Sequence, residues 1–484
     1  MPSVSLNEAG LLTQAPQVPT VYFVSLGCPK NRVDTEVMLG LSQNAGHRLT
    51  DRPEDADVIV VNTCGFIGAA KEESVDTILE MAAHKRTGRC RRLVVTGCLS
   101  QRYPTELHHE IPEIDHILGS GEVEKIALAI TSVSPGLQVA QVPTYLYDHS
   151  TPRPASQAPF SRYVKIAEGC DRPCAFCFIP KLRGPQRSRP LDSIAAEVAA
   201  LSLAGVVEVN LVAQDLTMYG TDLPQGRKQL PELLQRLSVP RPDPGHLRWI
   251  RLHYAYPTAV TDALLRVMAD SQKVVRYLDC PLQHVDDRLL KLMRRGHTQK
   301  TVERFVGQVR KVMPDVFLRS AFIVGHPGET EQAFAALCDF VRQAEIDHVG
   351  VFTYSQEEGT PSGQMVEQVP HKVAVQRQRE LLRVQRAVVK KKRQALIGRT
   401  VEVLVEGPSA QSAFVFQGRH AGQAPEIDGQ VYLVLGEACP ELALTPGAVV
   451  EAKVTRGAEV DLVAEVLGML AKAPAKKHKL PVVR

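Results

Sequence analysis

The chain has 484 residues, 44% hydrophobic and 23% charged, too long for one core, so about three domains of roughly 150 residues each are expected. A formal net charge of +4 permits an acidic partner such as RNA without demanding one. No run of 18 apolar residues occurs, which excludes a membrane-spanning helix. The opening MPSVSLNEAGLLTQAPQVPT lacks a basic-then-apolar leader, so a cytoplasmic protein with reduced thiols and no membrane partner is expected.

In chain order, residues 1–19 are aperiodic and bear Pro, Gln and Ser, which predicts a disordered lead. Over 20–148, VYFVSL (21–26), DVIVVNT (57–63) and RLVVTG (92–97) are short β-branched runs. DTEVMLGLSQNAG and AAKEESVDTILEMAAHK, with helical spacing, separate them. That alternation predicts an α/β domain with an open parallel sheet. HSTPRPASQAP (149–159) is a Pro/Ser-rich linker. Over 160–370, six further strand-like runs alternate with helical ones, from YVKIAE to HVGVFTY. Six units fall short of the eight of a closed barrel and predict a partial (β/α)6 barrel. A long basic connecting helix follows over 371–395, with Gly398 as its cap. Residues 396–468 carry TVEVLVEG, AFVFQGRH, QVYLVLGE and AVVEAKVTRG between Gly-bearing turns. They predict a small all-β, five-stranded barrel of the oligonucleotide-binding sort. The tail 469–484 is basic and expected to be disordered.

The cysteines carry the chemistry. In a reducing compartment, ten of them argue for metal or catalysis rather than disulfides. EGCDRPCAFCFIP (168–180) crowds Cys170, Cys174 and Cys177 into one loop. Three thiolates are too few for a closed structural zinc site, whereas on a four-iron cluster they leave one iron open. The triplet follows the first barrel strand, which places it at the face where barrel enzymes hold their active sites. A zinc site completed by a distant His is the alternative. Cys28, Cys64 and Cys98 each stand directly after a strand of the first sheet. Carboxyl ends of parallel strands share one rim, so these three are expected to converge as a second metal-binding triad. Three buried free thiols are the alternative, although a core cysteine belongs inside a strand rather than one step past it. Cys90, Cys280, Cys338 and Cys439 show no such placement and are expected to pack, Cys280 standing closest to a strand end.

The spacing C-x-x-x-C-x-x-C, with Phe176 before its last cysteine, resembles the radical S-adenosylmethionine superfamily. There the cofactor's amino and carboxylate groups take the open iron, and its reductive cleavage releases a 5′-deoxyadenosyl radical. With SLGCPKNRVDTE, VVNTCGFI, VTGCLSQ, EGCDRPCAFCFIPKLRG, LHYAYP, PLQH and FIVGHPGETE, the chain resembles the methylthiotransferases from about residue 20 to 468. The resemblance implies two [4Fe-4S] clusters, one on Cys28, Cys64 and Cys98 and one on Cys170, Cys174 and Cys177. It also implies S-adenosylmethionine, an electron donor such as flavodoxin or ferredoxin, and a substrate-holding TRAM domain at 396–468. SLGCPKN around Cys28 and APEIDGQVYL (424–433) resemble the branch that modifies the β-carbon of an aspartate on the twelfth small-subunit ribosomal protein, alone or within the subunit. The alternative is the branch that modifies isopentenyl-adenosine in tRNA.

Softer candidates cluster around this scheme. Gly325 and Glu329 lie in FIVGHPGE, which resembles the superfamily's adenine-contacting segment; His326 there stands at a usually aromatic position. An ordinary strand-to-helix turn is the alternative. Gln214 with Asp215, and Gln283 with His284, end strands at the expected active face; loop capping is the alternative. Arg183 and Arg187 are expected to pair with a carboxylate of cofactor or substrate, or to be solvated. Glu426 and Asp428 are expected to attract a basic partner, or to cap a turn. Two other classes compete. An electron carrier would want four thiolates per cluster. An RNA-binding protein would stack bases on Phe414, Phe416 and Tyr432.

Overall fold

The computed structural model describes residues 5–6, 12–13, 18–156, 158–240, 245–409, 412–436, 439 and 441–474. Most of the predicted lead, the tail from residue 475 and the side chain of Phe414 lie outside them. Two compact units emerge. The first holds the chain up to residue 156 together with Lys181–Arg183; the second holds Ala158–Pro180 and the chain from Gly184 onward. Among the described residues no helix is long and apolar enough to cross a membrane.

In the first unit, strands β1 (Thr20–Ser25), β2 (Arg48–Leu49), β3 (Val58–Thr63), β4 (Arg92–Gly97), β5 (His116–Leu118) and β6 (Gly136–Gln138) form one parallel sheet. Its order is β2-β1-β3-β4-β5-β6. Helices α1 (Pro29–Asn44), α2 (Gly68–Thr87) and α3 (Cys98–Arg102) follow β1, β3 and β4. All six residues of β3, VIVVNT, are buried, as two-sided cover of a parallel sheet requires. Ser25 pairs with Asn62, and Thr63 with Gly97. The carboxyl ends of β1, β3 and β4 are therefore level, which sets the next residues on one rim.

In the second unit, β7 (Ser161–Lys165), β8 (Glu208–Val212), β9 (Trp249–Leu252), β10 (Val274–Asp279), β11 (Phe317–Val324) and β12 (His348–Thr353) form a parallel six-stranded sheet in chain order. Strands β7 and β12 are its open edges, as a partial barrel demands. The long helix His371–Leu396 follows. Then β13 (Thr400–Ser409), β14 (Ser412–His420), β15 (Val431–Leu435), β16 (Val449–Gly457) and β17 (Leu462–Ala471) close into a barrel in the order β13-β14-β15-β17-β16. Its interior holds Val403, Val405, Leu433, Val450, Ala452 and Val466. Phe416 packs against that interior, which removes it from the stacking platform that an RNA-binding reading required.

The small barrel and the six-stranded sheet share a core containing Trp249, Tyr277, Leu404 and Val449. Buried charge lies beside it. The Glu208 carboxylate sits 3.0 Å from Arg251 Nη2 and 2.6 Å from Arg419 Nη2. Burial alone would raise its pKa, but the two guanidiniums hold it well below the usual carboxylate range. Asp428 accepts hydrogen bonds from Tyr277 Oη at 2.8 Å and Ala424 N at 2.9 Å, and lies 3.3 Å from His348 Nδ1. This corrects the expectation of an acidic pair that draws a basic partner and favours its turn-capping alternative at Asp428: Glu426 is exposed, but the Asp428 side chain is buried, holds the Ala424 amide and is compensated from both domains. A carboxylate so enclosed is held because its partners are in place, and it offers nothing to a docking protein.

Candidate functional sites at two thiol triads

On the rim of the first sheet, Cys28 caps the N-terminus of α1, with Pro29 at the first helical position. Gly27 adopts φ +84°, and a Cβ there would fall 2.8 Å from Cys64 Cβ and 3.0 Å from its Sγ. The approach of β1 and β3 at this point requires glycine. Two asparagines lock the strand ends. Asn31 Nδ2 donates to Leu26 O at 2.7 Å and Thr63 O at 3.2 Å; Asn62 Nδ2 donates to Asn31 O and Thr35 Oγ1, both at 2.9 Å. Cys98 opens α3, and its Sγ accepts from Arg183 Nε at 3.2 Å. Arg183 is itself buried, with Nη1 2.6 Å from Asp34 and Nη2 donating to Asn31 Oδ1 at 2.8 Å. Its carboxylate partner is thus the protein's own Asp34, not a ligand.

The thiols of this rim differ. Burial pushes Cys28 up, but the charges of Lys30 and Arg183 and the Asn31 and Lys30 amides outweigh it and lower the pKa. Cys64 is pushed up to about 12, by burial first and then by the charges of Cys98 and Cys28. Three thiolates that oppose one another, ringed by amides and cations, suit a cationic iron–sulfur group.

In the second unit, Gly169 (φ +84°) turns the chain where a Cβ would meet Pro185 O at 2.0 Å. The cysteine loop is then pinned by Ala175, whose amide donates to Met293 O at 3.0 Å and whose carbonyl accepts from Ser362 N at 2.9 Å. Cys170 Sγ accepts from Arg172 N and Cys177 Sγ from Ile179 N, both at 3.5 Å; Cys174 Sγ accepts from Arg295 Nη1 at 3.2 Å. Burial raises Cys170 to about 11 and Cys177 to about 12, and the neighbouring thiolates add to both. The ring of Tyr256 lies between two guanidiniums, 3.9 Å from Arg172 and 4.3 Å from Arg295. Asp215 holds Arg172 Nε at 2.7 Å. Arg172, Arg295 and Tyr256 were not among the sequence candidates. LHYAYP contains Tyr256, but nothing in its spacing ties it to the cysteines.

The other candidates divide. Gln214 Nε2 donates to Glu168, and its buried Oε1 has no hydrogen-bond partner among the described residues. Gln283 stands at φ +74°, with its backbone bridged to β11 and its side chain part-exposed. Tyr254, just past β9, has φ +67°; strained non-glycine backbone of this kind gathers at functional faces. Phe176 is also part-exposed. Gly325 lies against the long helix: a Cβ there would fall 2.4 Å from Ala374 Cβ. Glu329 is used by the protein itself. Its carboxylate accepts from the Gly325 amide and lies 2.7 Å from Arg377 Nη1 and 3.2 Å from His284 Nε2. His326 is buried, with Nδ1 2.9 Å from Pro327 O and Nε2 2.9 Å from Ser362 Oγ; burial lowers its pKa to about 4. Arg187 Nη1 donates to Pro185 O at 2.8 Å. Among the described residues no three His, Cys, Asp or Glu close around a single point as one metal ion would need.

Residues 20–119 match the Uncharacterized protein family UPF0004, residues 164–341 the Radical SAM superfamily and residues 397–467 the TRAM domain. The chain is 49% identical to the ribosomal protein uS12 methylthiotransferase RimO of Anaeromyxobacter sp. (strain K), over 96% of this chain and 99% of that one. It is 48% identical to the protein of that name from Myxococcus xanthus, over 93% and 92%. Among solved structures, the radical S-adenosylmethionine methyltransferase TsrM from Kitasatospora setae aligns with a TM-score of 0.53 at 16% identity, over 71% of this chain and 77% of that one. That likeness concerns the fold alone.

Proposed function

This chain belongs to the RimO family of ribosomal protein uS12 methylthiotransferases, and we propose that its two thiol triads divide the reaction on an aspartate β-carbon of uS12 between radical generation and sulfur delivery. It is a radical S-adenosylmethionine enzyme with a [4Fe-4S] cluster. Its relatives carry the ribosomal-protein name, which favours that substrate over tRNA. The single observation that carries the division is the presence of two thiol triads in two compact units, one on a sheet rim and one in a single loop. The second cluster, on Cys28, Cys64 and Cys98, is part of this proposal, as is a flavodoxin- or ferredoxin-type donor.

Held by Cys170, Cys174 and Cys177, a [4Fe-4S] cluster with one iron free of protein thiolate would bind S-adenosylmethionine and supply the electron that cleaves it. The chain's own residues prepare that site. Arg295 donates to the sulfur of Cys174, and the Arg172 and Ile179 amides donate to the other two. Such outer bonds orient metal ligands and tune the metal. Tyr256 holds Arg172 and Arg295 by stacking, and Asp215 fixes Arg172. The unpartnered Oε1 of Gln214 is offered to a donor on the cofactor, and Phe176 and Gln283 are further contacts at this face. Gly325 and Glu329 act through the loop they shape, as positioning residues. In the first unit, Lys30, Arg183 and the start of α1 favour thiolate at Cys28.

The small barrel holds substrate. Residues 397–471 contain ten Asp and Glu against four Lys and Arg, a balance that suits a basic ribosomal protein. The test is anaerobic turnover of the reconstituted enzyme with uS12 and, separately, with tRNA. The expected product is uS12 carrying methylthio in place of one hydrogen. Modification of tRNA alone would overturn the assignment.

A further inference from the structure

The long helix His371–Leu396 has two unlike sides. Ala374, Leu381, Val384 and Val388 are buried, and Gln378 and Gln385 donate to Val351 O and Ile346 O at 2.8 and 2.9 Å. The opposite side exposes Lys372, Arg379, Arg383, Arg386 and Lys390. At 3.6 residues per turn these five fall within an arc of about 60° and extend over about 27 Å. None of them takes part in an ion pair or side-chain hydrogen bond among the described residues. Of the helix's other cations, Arg377 pairs with Glu329, Lys391 with Glu345 and Lys392 with Asp347, and Arg393 is buried. A groove of about 330 Å³ beside the stripe is lined by Arg342, Arg383 and Lys391, with Glu345 paired to Lys391. The helix keeps Glu380 as its one acidic residue.

Like charges three and four residues apart repel one another, so the row is held against its own field until an anion meets it. Three of the five are arginines, whose planar forks match phosphate oxygens. A membrane surface is a poor occupant: an interfacial helix needs a free apolar face, and here that face is inside the protein. A basic ribosomal protein would be repelled.

We propose that this stripe docks on a ribosomal RNA strand, so that the enzyme engages uS12 as presented on RNA rather than as free protein. The proposal rests on the uS12 reading and adds a second partner to it. The acidic small barrel takes the protein, and the basic helix takes the adjoining phosphates.

The experiment compares wild type with an Arg379→Gln/Arg383→Gln/Arg386→Gln variant, each as full-length reconstituted enzyme. Glutamine keeps helix propensity, and unchanged thermal unfolding certifies the fold. Modification is measured on free uS12 and on purified small subunits, and binding to a 16S ribosomal RNA fragment is measured across a salt series. The expected result is a loss of tenfold or more on subunits with less than twofold change on free uS12. The slope of log affinity against log salt should also flatten by about 2–3, at roughly 0.7–0.9 per lost phosphate contact. Equal loss on both substrates, or no loss on either, overturns the proposal. A defect on subunits with an unchanged RNA salt slope also overturns it, in favour of an acidic protein contact. If wild type modifies neither form of uS12, the uS12 reading fails. The RNA-binding arm still decides the stripe: binding that weakens in the variant supports it, and absent or unchanged binding overturns it.

Discussion

The two thiol triads reach similar gatherings by opposite routes. Cys170, Cys174 and Cys177 come from one loop of eight residues, pinned at Ala175 and turned at Gly169. Cys28, Cys64 and Cys98 come from three strands and meet only because β1, β3 and β4 are parallel neighbours with level ends. Their electrostatics diverge as well. The loop triad lies among amides, with Arg295 at one sulfur, and burial keeps Cys170 and Cys177 as thiols in the metal-free protein. On the rim, Lys30, Arg183 and a helix start act on Cys28 and hold it low. A triad written in one loop can take metal as a local unit, whereas a triad assembled by a sheet depends on the whole domain being folded.

The largest effect should come from emptying one triad at a time. Cys170→Ala with Cys174→Ala and Cys177→Ala should abolish both 5′-deoxyadenosine release and methylthiolation. It should halve iron from about eight to about four per chain, two cubane clusters being expected. Cys28→Ala with Cys64→Ala and Cys98→Ala should halve iron equally and abolish methylthiolation, yet retain 5′-deoxyadenosine release. Iron and sulfide assays, with chromatography of the nucleoside, decide between shared and divided roles.

Arg183→Gln sharpens the contrast in stability. It leaves the buried Asp34 carboxylate without its partner at 2.6 Å, a loss of about 3–5 kcal/mol for a broken buried pair. Urea unfolding of the first unit should report it. The double replacement Arg183→Met with Asp34→Leu should recover most of the stability but not iron binding at the rim, because the cation beside Cys98 stays absent. Arg295→Gln should act on the loop triad without unfolding it. Removing the bond to Cys174 Sγ should make the cluster harder to reduce and cost about 10–100-fold in activity; potentiometric titration followed by electron paramagnetic resonance reads the first.

The smallest effect appears in the metal-free protein. A thiol alkylates as thiolate, which forms as pH rises through its pKa. Cys28, held below the usual thiol range, should label with iodoacetamide at a lower pH than Cys64. Cys64, pushed to about 12, should stay unlabelled until far more alkaline conditions. Peptide mass spectrometry over a pH series checks the order, and Cys64 labelling first would contradict the placement of Lys30 and Arg183.

Much of this was determined by the sequence itself, because the relevant physics is local. Alternating β-branched runs and helical spacings specify two parallel sheets, and six units leave the second one open. The spacing of Cys170, Cys174 and Cys177 is a property of one loop. Even the rim triad was legible, since a residue one step past a parallel strand has only one edge on which to stand. Tertiary structure alone decided where buried charges find partners. Arg183 was expected to meet a ligand or solvent and meets Asp34; Asp428 was expected to draw a basic partner or cap a turn, and it holds the Ala424 amide beneath Tyr277 and His348; Glu329 shapes the Gly325 turn; and Arg295, 121 residues from Cys174, reaches its sulfur. Each of these rests on a contact between segments far apart in the chain, made where burial makes an unpaired charge costly. A charge has many possible partners along a sequence, and only the folded packing selects one.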